Sequence, residues 1–269
     1  MKIVLAPGRV AINYWRDLWR YRELMYMLAW RDITVRYKQT VLGISWVVMQ
    51  PLVTMGIFTF VFGTLAGMAS GDPRYALVVM AGVLAWQLFA TALSSASGSL
   101  VANAHLLTKV YFPRLIVPLS SLAVAVVDFV VVLGLYGVMA VFFSQPVTIR
   151  CLLLPAFMLL AIGIAFGAGL WMSALMVRYR DFRHIVPFLL QLGLFLSPIG
   201  FRTDVVPNWQ FLLALNPMTG VIDGFRWCLL GIGEFYWRGL FTSVFAAAIL
   251  LSSGLWYFRR TERSLADLI

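Results

Sequence analysis

The 269 residues are 62% hydrophobic and only 12% charged, whereas soluble globular chains are about 45–50% apolar and about 25% charged. This composition excludes an ordinary soluble enzyme and predicts an all-α polytopic membrane protein, a single transmembrane domain over residues 1–269. The length suits about six membrane spans with short connections. The formal net charge of +10 then has to lie mainly in the connections, where it can set the topology or attract anionic lipids.

Residues 1–39 are predicted to form a basic, aromatic lead-in followed by an amphipathic surface helix. A helix over residues 24–38 turns by about 100° per residue and has two opposed apolar stripes. One stripe contains Tyr26, Trp30, Ile33 and Tyr37, and the other contains Leu24, Leu28 and Val35. Two stripes indicate two apolar partners, of which one could be the headgroup boundary and the other a protein. A simple membrane-surface anchor is the alternative.

Residues 41–200 are predicted to contain five helices, and residues 239–258 a sixth. The predicted ranges are 41–65, 75–97, 115–143, 152–177, 185–200 and 239–258. Pro51 is expected to kink the first of them. A spacing of four residues between Gly63 and Gly67, and again between Gly163 and Gly167, would permit close helix packing.

Two connections carry aromatic residues where a purely polar loop would be usual. They are residues 104–112 (AHLLTKVYF) and residues 178–183 (RYRDFR). Tyr111 and Phe112, flanked by Lys109 and Arg114, could insert into a cleft on a soluble partner. A loop that folds back on the membrane surface is the alternative.

Residues 201–238 are predicted to form an outer re-entrant segment. The apolar run 205–222 is interrupted by Pro207, Pro217 and Gly220, a pattern typical of half-helices that enter the bilayer and return. A full span is the alternative, but it would place the basic tail, residues 259–269, on the outside.

The distribution of basic residues supports six spans with both termini in the cytoplasm. With that topology the outer segments carry five of the 21 Lys and Arg residues, which are Arg74, Arg150, Arg202, Arg226 and Arg238. All the others lie in inner segments. No signal-peptide pattern precedes the first apolar run, so the N-terminus is expected to stay in the cytoplasm.

The sequence has few residues that could carry out catalysis. It contains no G-x-x-x-x-G-K-[ST], H-E-x-x-H or G-x-S-x-G motif, and its two His and two Cys residues predict neither a metal site nor a disulfide framework. We therefore expect no catalytic residue and no nucleic-acid partner. Asp128 is the one ionisable residue deep in an apolar run; it could serve in a proton relay or as a hydrogen-bonded structural acid.

Five stretches, taken together, resemble the membrane subunit of bacterial ABC-2-type polysaccharide exporters, which move lipid-linked O-antigen, capsule or teichoic acid. They are WRDITVRYKQTVLGISWVVMQPL (30–52), LLTKVYFPRLIVPL (106–119), VRYRDFRHIVPFLLQ (177–191), FLSPIGF (195–201) and LNPMTGVIDGFR (215–226). The resemblance implies a homodimer in the bacterial inner membrane, paired with two copies of a separate ATP-binding subunit. ATP and Mg²⁺ would bind that partner, and this chain would bind membrane lipids and a lipid-linked polysaccharide. An ABC-2 exporter of a drug or lipid, or more remotely an ion-coupled secondary transporter, is the alternative.

The resemblance also implies roles for individual residues. Contact with the ATPase subunit, through an N-terminal interface helix and two inner loops, would involve Tyr26, Trp30, Arg31, Asp32, Arg36, Tyr37, His105, Lys109, Tyr111, Phe112, Arg178, Arg180 and Asp181. The outer gate would include Pro198, Pro207, Asn216, Pro217, Asp223 and Arg226. A sugar channel favours aromatic faces, and its candidates are Trp46, Phe58, Phe60, Trp86 and Phe89; lipid-facing packing is the alternative for each.

Overall fold

The computed structural model describes residues 14–38, 43–69, 74–110, 112–203, 210–231 and 235–262. All regular elements in these ranges are helical, which confirms the all-α prediction. The helices are α1 Tyr14–Arg20, α2 Arg22–Lys38, α3 Gly43–Phe58, α4 Tyr75–Ala102, α5 Ala104–Lys109, α6 Ile116–Phe142, α7 Leu154–Arg178, α8 Phe182–Leu196, α9 Gln210–Leu215, α10 Pro217–Leu230 and α11 Trp237–Thr261. Helix α3 contains Pro51 and continues as a π-helix over Thr59–Leu65, and a 3₁₀ turn, Ile149–Leu153, precedes α7.

Five helical stretches in the described ranges are long and apolar enough to cross a membrane. They are Ser45–Leu65, Tyr75–Ala102, Ile116–Phe142, Ile149–Arg178 and Trp237–Thr261. The fifth predicted helix, at 185–200, is the 15-residue α8, which is about 22 Å long and shorter than a hydrocarbon core of about 30 Å. Because residues 197–201 leave the helical conformation, the structure does not establish a sixth full-length span.

Helix α4 lies at the centre of the bundle. Its sequence is apolar or small on every side, and residues 77–86 are buried without interruption. It packs against α3, α6, α7, α8 and α10, while α11 covers α7 and α10. Helices α3 and α8 lie at the periphery, where many of their large apolar side chains are exposed.

Hydrogen bonds identify the two ends of the bundle. At the end we call lower, the backbone N–H of Arg114 donates to Glu262 Oε1 at 2.9 Å, and the Arg259 guanidinium lies 4.8 Å from the ring centroid of Tyr14. At the upper end, Gln145 Nε2 donates to the Leu230 carbonyl at 3.0 Å and Arg150 Nη1 to the Gly231 carbonyl at 3.0 Å. The first and last described helices therefore meet at the lower end.

Helix α10 begins inside the bundle and ends at its upper end. Asn216 caps it by accepting a hydrogen bond from the Met218 N–H at 2.9 Å, and Pro217 occupies its first turn, where no backbone N–H is needed. Ser243, about 9 Å along α11 from its upper end, donates to the Pro217 carbonyl at 2.6 Å. The chain thus breaks at Pro217, one of the predicted interruptions, while Pro207 lies outside the described residues.

One of the two predicted glycine pairs lies at a close helix contact. A Cβ on Gly167 would lie 2.5 Å from the Leu250 carbonyl carbon, and one on Gly163 would lie 3.4 Å from Leu251 Cδ1, so α7 and α11 approach closely there. The other pair is different. Gly63 packs beneath the Tyr75 ring, but Gly67 has a φ of +70° with no neighbour within 4 Å, so it serves a turn and not a helix contact.

Gly167→Ala tests this contact. The added methyl group would meet backbone atoms that cannot rotate away, and overpacking of this kind costs about 1–3 kcal/mol. We expect a lower thermal unfolding temperature of the purified chain in detergent. Gly137→Ala is the control, because a Cβ on Gly137 meets nothing within 4 Å; equal melting of the two variants would contradict the close contact.

Candidate functional site

Helix α2 presents one of its predicted apolar stripes to the bundle and much of the other to the surroundings. Leu28 is buried and Leu24 packs against the core, whereas Tyr26 is 68% exposed and Trp30 is 61% exposed. The prediction of two opposed stripes holds less well towards the end of the helix. Val35 is exposed there, and Tyr37 turns inward because its hydroxyl donates to Asp128.

Arg31 ties the middle of α2 to the junction of α4 and α5. Its Nη2 donates to Asn103 Oδ1 at 2.6 Å and also pairs with Asp32 at 2.6 Å. Asn103 is the residue between α4 and α5, and its own Nδ2 donates to the Ser99 carbonyl at 2.9 Å. Arg31 and Asp32 therefore contribute to the internal structure of the lower end.

Arg36 and Tyr37 tie the end of α2 to α6. Arg36 Nη2 lies 2.5 Å from Asp128 Oδ2, and the Tyr37 hydroxyl donates to Asp128 Oδ1. The Asp128 side chain is only 3% exposed. Burial, together with the neighbouring carboxylate, raises the pKa of Tyr37. Of the two roles considered for Asp128, this geometry fits the hydrogen-bonded structural acid.

The remaining lower-end candidates divide into exposed and buried residues. On α5, His105 and Lys109 are exposed. At the end of α7 and in the turn that follows, Arg178, Arg180 and Asp181 are exposed, as is Tyr179 between them. Phe112, however, is only 4% exposed and belongs to the core, so the expectation that its ring projects toward a partner is wrong for this conformation. Tyr111 lies outside the described residues.

A polar cluster fixes the loop that follows α5. Glu262 accepts from the backbone N–H of Arg114, and the Arg114 guanidinium donates to the Glu262 carbonyl. Tyr14 is half-buried, with its hydroxyl enclosed beside the same carboxylate. Burial raises the pKa of both Glu262 and Tyr14, and the Glu262 charge adds to the effect on Tyr14. The cluster joins α1, the α5–α6 loop and the end of α11.

At the upper end, Arg226 binds the backbone that follows α8. It is 4% exposed, and its Nη2 and Nη1 donate to the carbonyls of Ile199 and Phe201 at 2.6 and 2.7 Å. Its Nε donates to the Val78 carbonyl of α4 at 3.1 Å. A Cβ on Gly82 would lie 3.0 Å from Nη2, so this glycine leaves space for the guanidinium.

Other predicted gate residues lie around Arg226. Asp223 is 3.4 Å from Arg226 Nη1 and accepts from the Thr203 hydroxyl at 2.5 Å. Asn216 Nδ2 donates to Ser197 Oγ at 2.9 Å, next to the buried Pro198. The structure thus places residues 197–203 against α10, although residues 204–216 separate the two segments in the sequence.

The predicted channel aromatics do not form one surface. Trp46 and Phe60 are exposed, Phe89 is half-buried, and Phe58 and Trp86 are buried. Phe58 instead belongs to a row that links α3 and its π-helical continuation to α8 and the segment after it. Its ring lies 5.7 Å from Phe62 and 6.2 Å from Phe195, and Phe62 lies 5.8 Å from Phe201. The sequence analysis does not single out Phe62, Phe195 or Phe201, although each lies in an aromatic-rich stretch.

Comparisons with known proteins agree with one another. The family model described as ABC-2 type transporter matches residues 23–230. An O-antigen export system permease protein RfbA of Myxococcus xanthus is 28% identical over 214 residues, which cover 78% of this chain and 82% of that protein. A protein of the same name from Klebsiella pneumoniae is 26% identical over 251 residues, covering 92% of this chain and 95% of that protein.

Arg226→Met tests whether the upper end depends on the buried guanidinium. The variant keeps most of the side-chain volume but removes the donors to three carbonyls, and breaking a buried polar pairing costs about 3–5 kcal/mol. We expect a large fall in the thermal unfolding temperature in detergent. The exposed Arg238→Met at the same end is the control, and a fall no larger than the control's would contradict the assignment.

Proposed function

We propose that this chain, which belongs to the ABC-2 type transporter family, is the permease subunit of an exporter that moves a lipid-linked polysaccharide across the bacterial cytoplasmic membrane. The observation that carries the proposal is the similarity, over 92% of the chain, to a permease named for O-antigen export. The sequence has no phosphate-binding loop. ATP and Mg²⁺ are accordingly assigned to a separate ATP-binding subunit, two copies of which would serve a permease homodimer.

In this proposal the lower end of the bundle faces the cytoplasm and the upper end faces outward. Lys109, Arg178 and Arg180 lie at the lower end together with the end of α11, which supports this orientation under the positive-inside rule. The short α8 and residues 197–201 together make the sixth crossing. Helices α9 and α10 then form the re-entrant outer gate, since α10 starts inside the bundle and ends at its upper end.

The surface offered to the ATP-binding subunit consists of the exposed side of α2, helix α5 and the α7–α8 turn. Its exposed members are Tyr26, Trp30, His105, Lys109, Arg178, Arg180 and Asp181. Aromatic residues and arginine are the side chains most often responsible for tight binding at protein interfaces. Arg31, Arg36 and Tyr37 contribute indirectly, because they hold α2 against the bundle.

The peripheral helices α3 and α8 supply the wall of the export path, where two permease copies meet. Their exposed aromatic side chains include Trp46, Phe60, Phe188 and Phe195. An aromatic ring offers a flat apolar face against which the C–H face of a sugar can stack. This arrangement suits a long carbohydrate better than a charged substrate.

Reconstitution tests the proposed function directly. The purified chain should hydrolyse no ATP, whereas the complex with the ATP-binding subunit should hydrolyse ATP and carry lipid-linked polysaccharide into proteoliposomes. A partner variant that lacks the phosphate-loop Lys is the control and should abolish both activities. Hydrolysis by the chain alone would contradict the permease assignment. A complex that moves a drug or a simple lipid but no polysaccharide would contradict the proposed substrate class.

Trp30→Ala tests the partner surface. Truncation of an exposed aromatic residue that becomes central in an interface typically costs about 1–3 kcal/mol, so we expect the dissociation constant of the complex to rise about tenfold or more. The measurement is a binding titration in detergent. Trp256→Ala on α11, where the tryptophan is 59% exposed, is the matched control, and equal affinity of the two variants would exclude Trp30 from the interface.

A further inference from the structure

Both oxygens of the Asp128 carboxylate are occupied by side chains of α2. Oδ2 pairs with the Arg36 guanidinium at 2.5 Å, and Oδ1 accepts from the Tyr37 hydroxyl. The residue lies twelve positions after the start of α6, which is about 18 Å along the helix. An aspartate this deep in an apolar helix is costly unless it is paired, and such residues commonly have a role beyond packing.

The contact with Asp128 lies at the C-terminal end of α2, close to the start of α3 in the sequence. Arg36 and Tyr37 are followed by Lys38, the last residue of α2, and α3 begins at Gly43. In the sequence, residues 39–42 join α2 to α3. The contact with Asp128 connects the same end of α2 directly to α6.

A further hydrogen bond joins α2 to the start of α5. Arg31 donates to Asn103, five residues before the Arg36 contact and about 7.5 Å from it along the helix axis. Together with the packing of Leu24 and Leu28, the bonds of Arg31 and Arg36 hold α2 against the bundle over most of its length. Helix α2 is therefore attached both to the α4–α5 junction and to α6, the helices on either side of the α5 loop.

We propose that Asp128 is a positioning residue for energy coupling: it locks the end of α2 to α6, so that a displacement of α2 moves α6 as well. The inference rests on the proposed function, in which the ATP-binding subunit displaces α2. Helix α6 packs along the central helix α4, which in turn contacts α7 and α10. The pair with Arg36 thus connects the lower surface to the helices that hold the upper segment.

The test measures transport and ATP hydrolysis together, in the full complex with the ATP-binding subunit in proteoliposomes. Asp128→Asn keeps the shape of the side chain but removes its charge, and the double variant Arg36→Asp/Asp128→Arg reverses the pair. We expect Asp128→Asn to lower the polysaccharide exported per ATP hydrolysed about tenfold, within the range of coupling energies that single residues contribute. The reversed pair should recover most of that loss.

Ser121→Ala is the matched control, since Ser121 is also buried on α6 but hydrogen-bonds within its own helix, to the Pro118 carbonyl at 2.8 Å. It should leave the ratio unchanged. A wild-type ratio in an assembled Asp128→Asn complex would overturn the inference, as would a reversed pair that recovers nothing. Should Asp128→Asn fail to assemble, Arg36→Gln decides, because it removes the ion pair and leaves the Tyr37 hydrogen bond to Asp128; an unchanged ratio there also overturns the inference. Failure of the proposed function is distinguishable, since the wild-type complex itself would then transport no polysaccharide.

Discussion

The arrangement of the upper end depends on one constraint, which is that a non-helical backbone inside an apolar bundle must find hydrogen-bond partners within the protein. After α8 ends, the carbonyls of Ile199 and Phe201 have no helical partner, and Arg226 supplies one to each. The same guanidinium also reaches Val78 on α4. A single side chain therefore joins the end of α8, the central helix and α10, and it explains how a 15-residue helix can be followed by irregular backbone at this position.

Asp128 meets a related requirement, that a buried charge needs polar partners, but its partners are side chains of α2. Arg226 is almost completely enclosed and binds backbone atoms, so its partners cannot rotate away. Asp128 binds two side chains, and the Arg36 side chain is 41% exposed. A bond between side chains at the edge of the bundle can be reached by solvent and by neighbouring groups, so it is the more adjustable of the two. This difference fits the proposal of a fixed outer segment and a lower end that transmits movement.

Most of the long helices could be predicted from the sequence because their apolar runs are long and end in charged or helix-breaking residues. The third predicted helix, 115–143, differs by one residue at each end from α6. Contacts between distant residues could not be predicted in this way. Asp128 was recognised as unusual, but its partner Arg36 lies 92 positions earlier, and no periodicity relates the two. The exposed position predicted for Phe112 is wrong. Aromatic residues flanked by Lys109 and Arg114 suggest an exposed loop, whereas the Phe112 ring packs inward. Periodicity also does not show which side of an all-apolar helix faces the rest of the bundle, so the channel candidates are divided between surface and core.

The aromatic row on α3 and α8 follows from the irregular backbone that it covers. Hydrocarbon tails are as apolar as leucine, so an exposed apolar helix face in a membrane requires no protein cover; exposed carbonyls and N–H groups do. The Phe62 ring lies so close to Gly200 that a Cβ there would collide with it, and Phe58 is the next neighbour of the same glycine. These two rings therefore shield residues 197–201 from lipid on the side that α4 and α10 leave open. The burial of Phe58 is a consequence of that shielding. In the proposed export path, contact with a sugar chain would fall to exposed aromatic residues outside this row, such as Phe60 and Phe188.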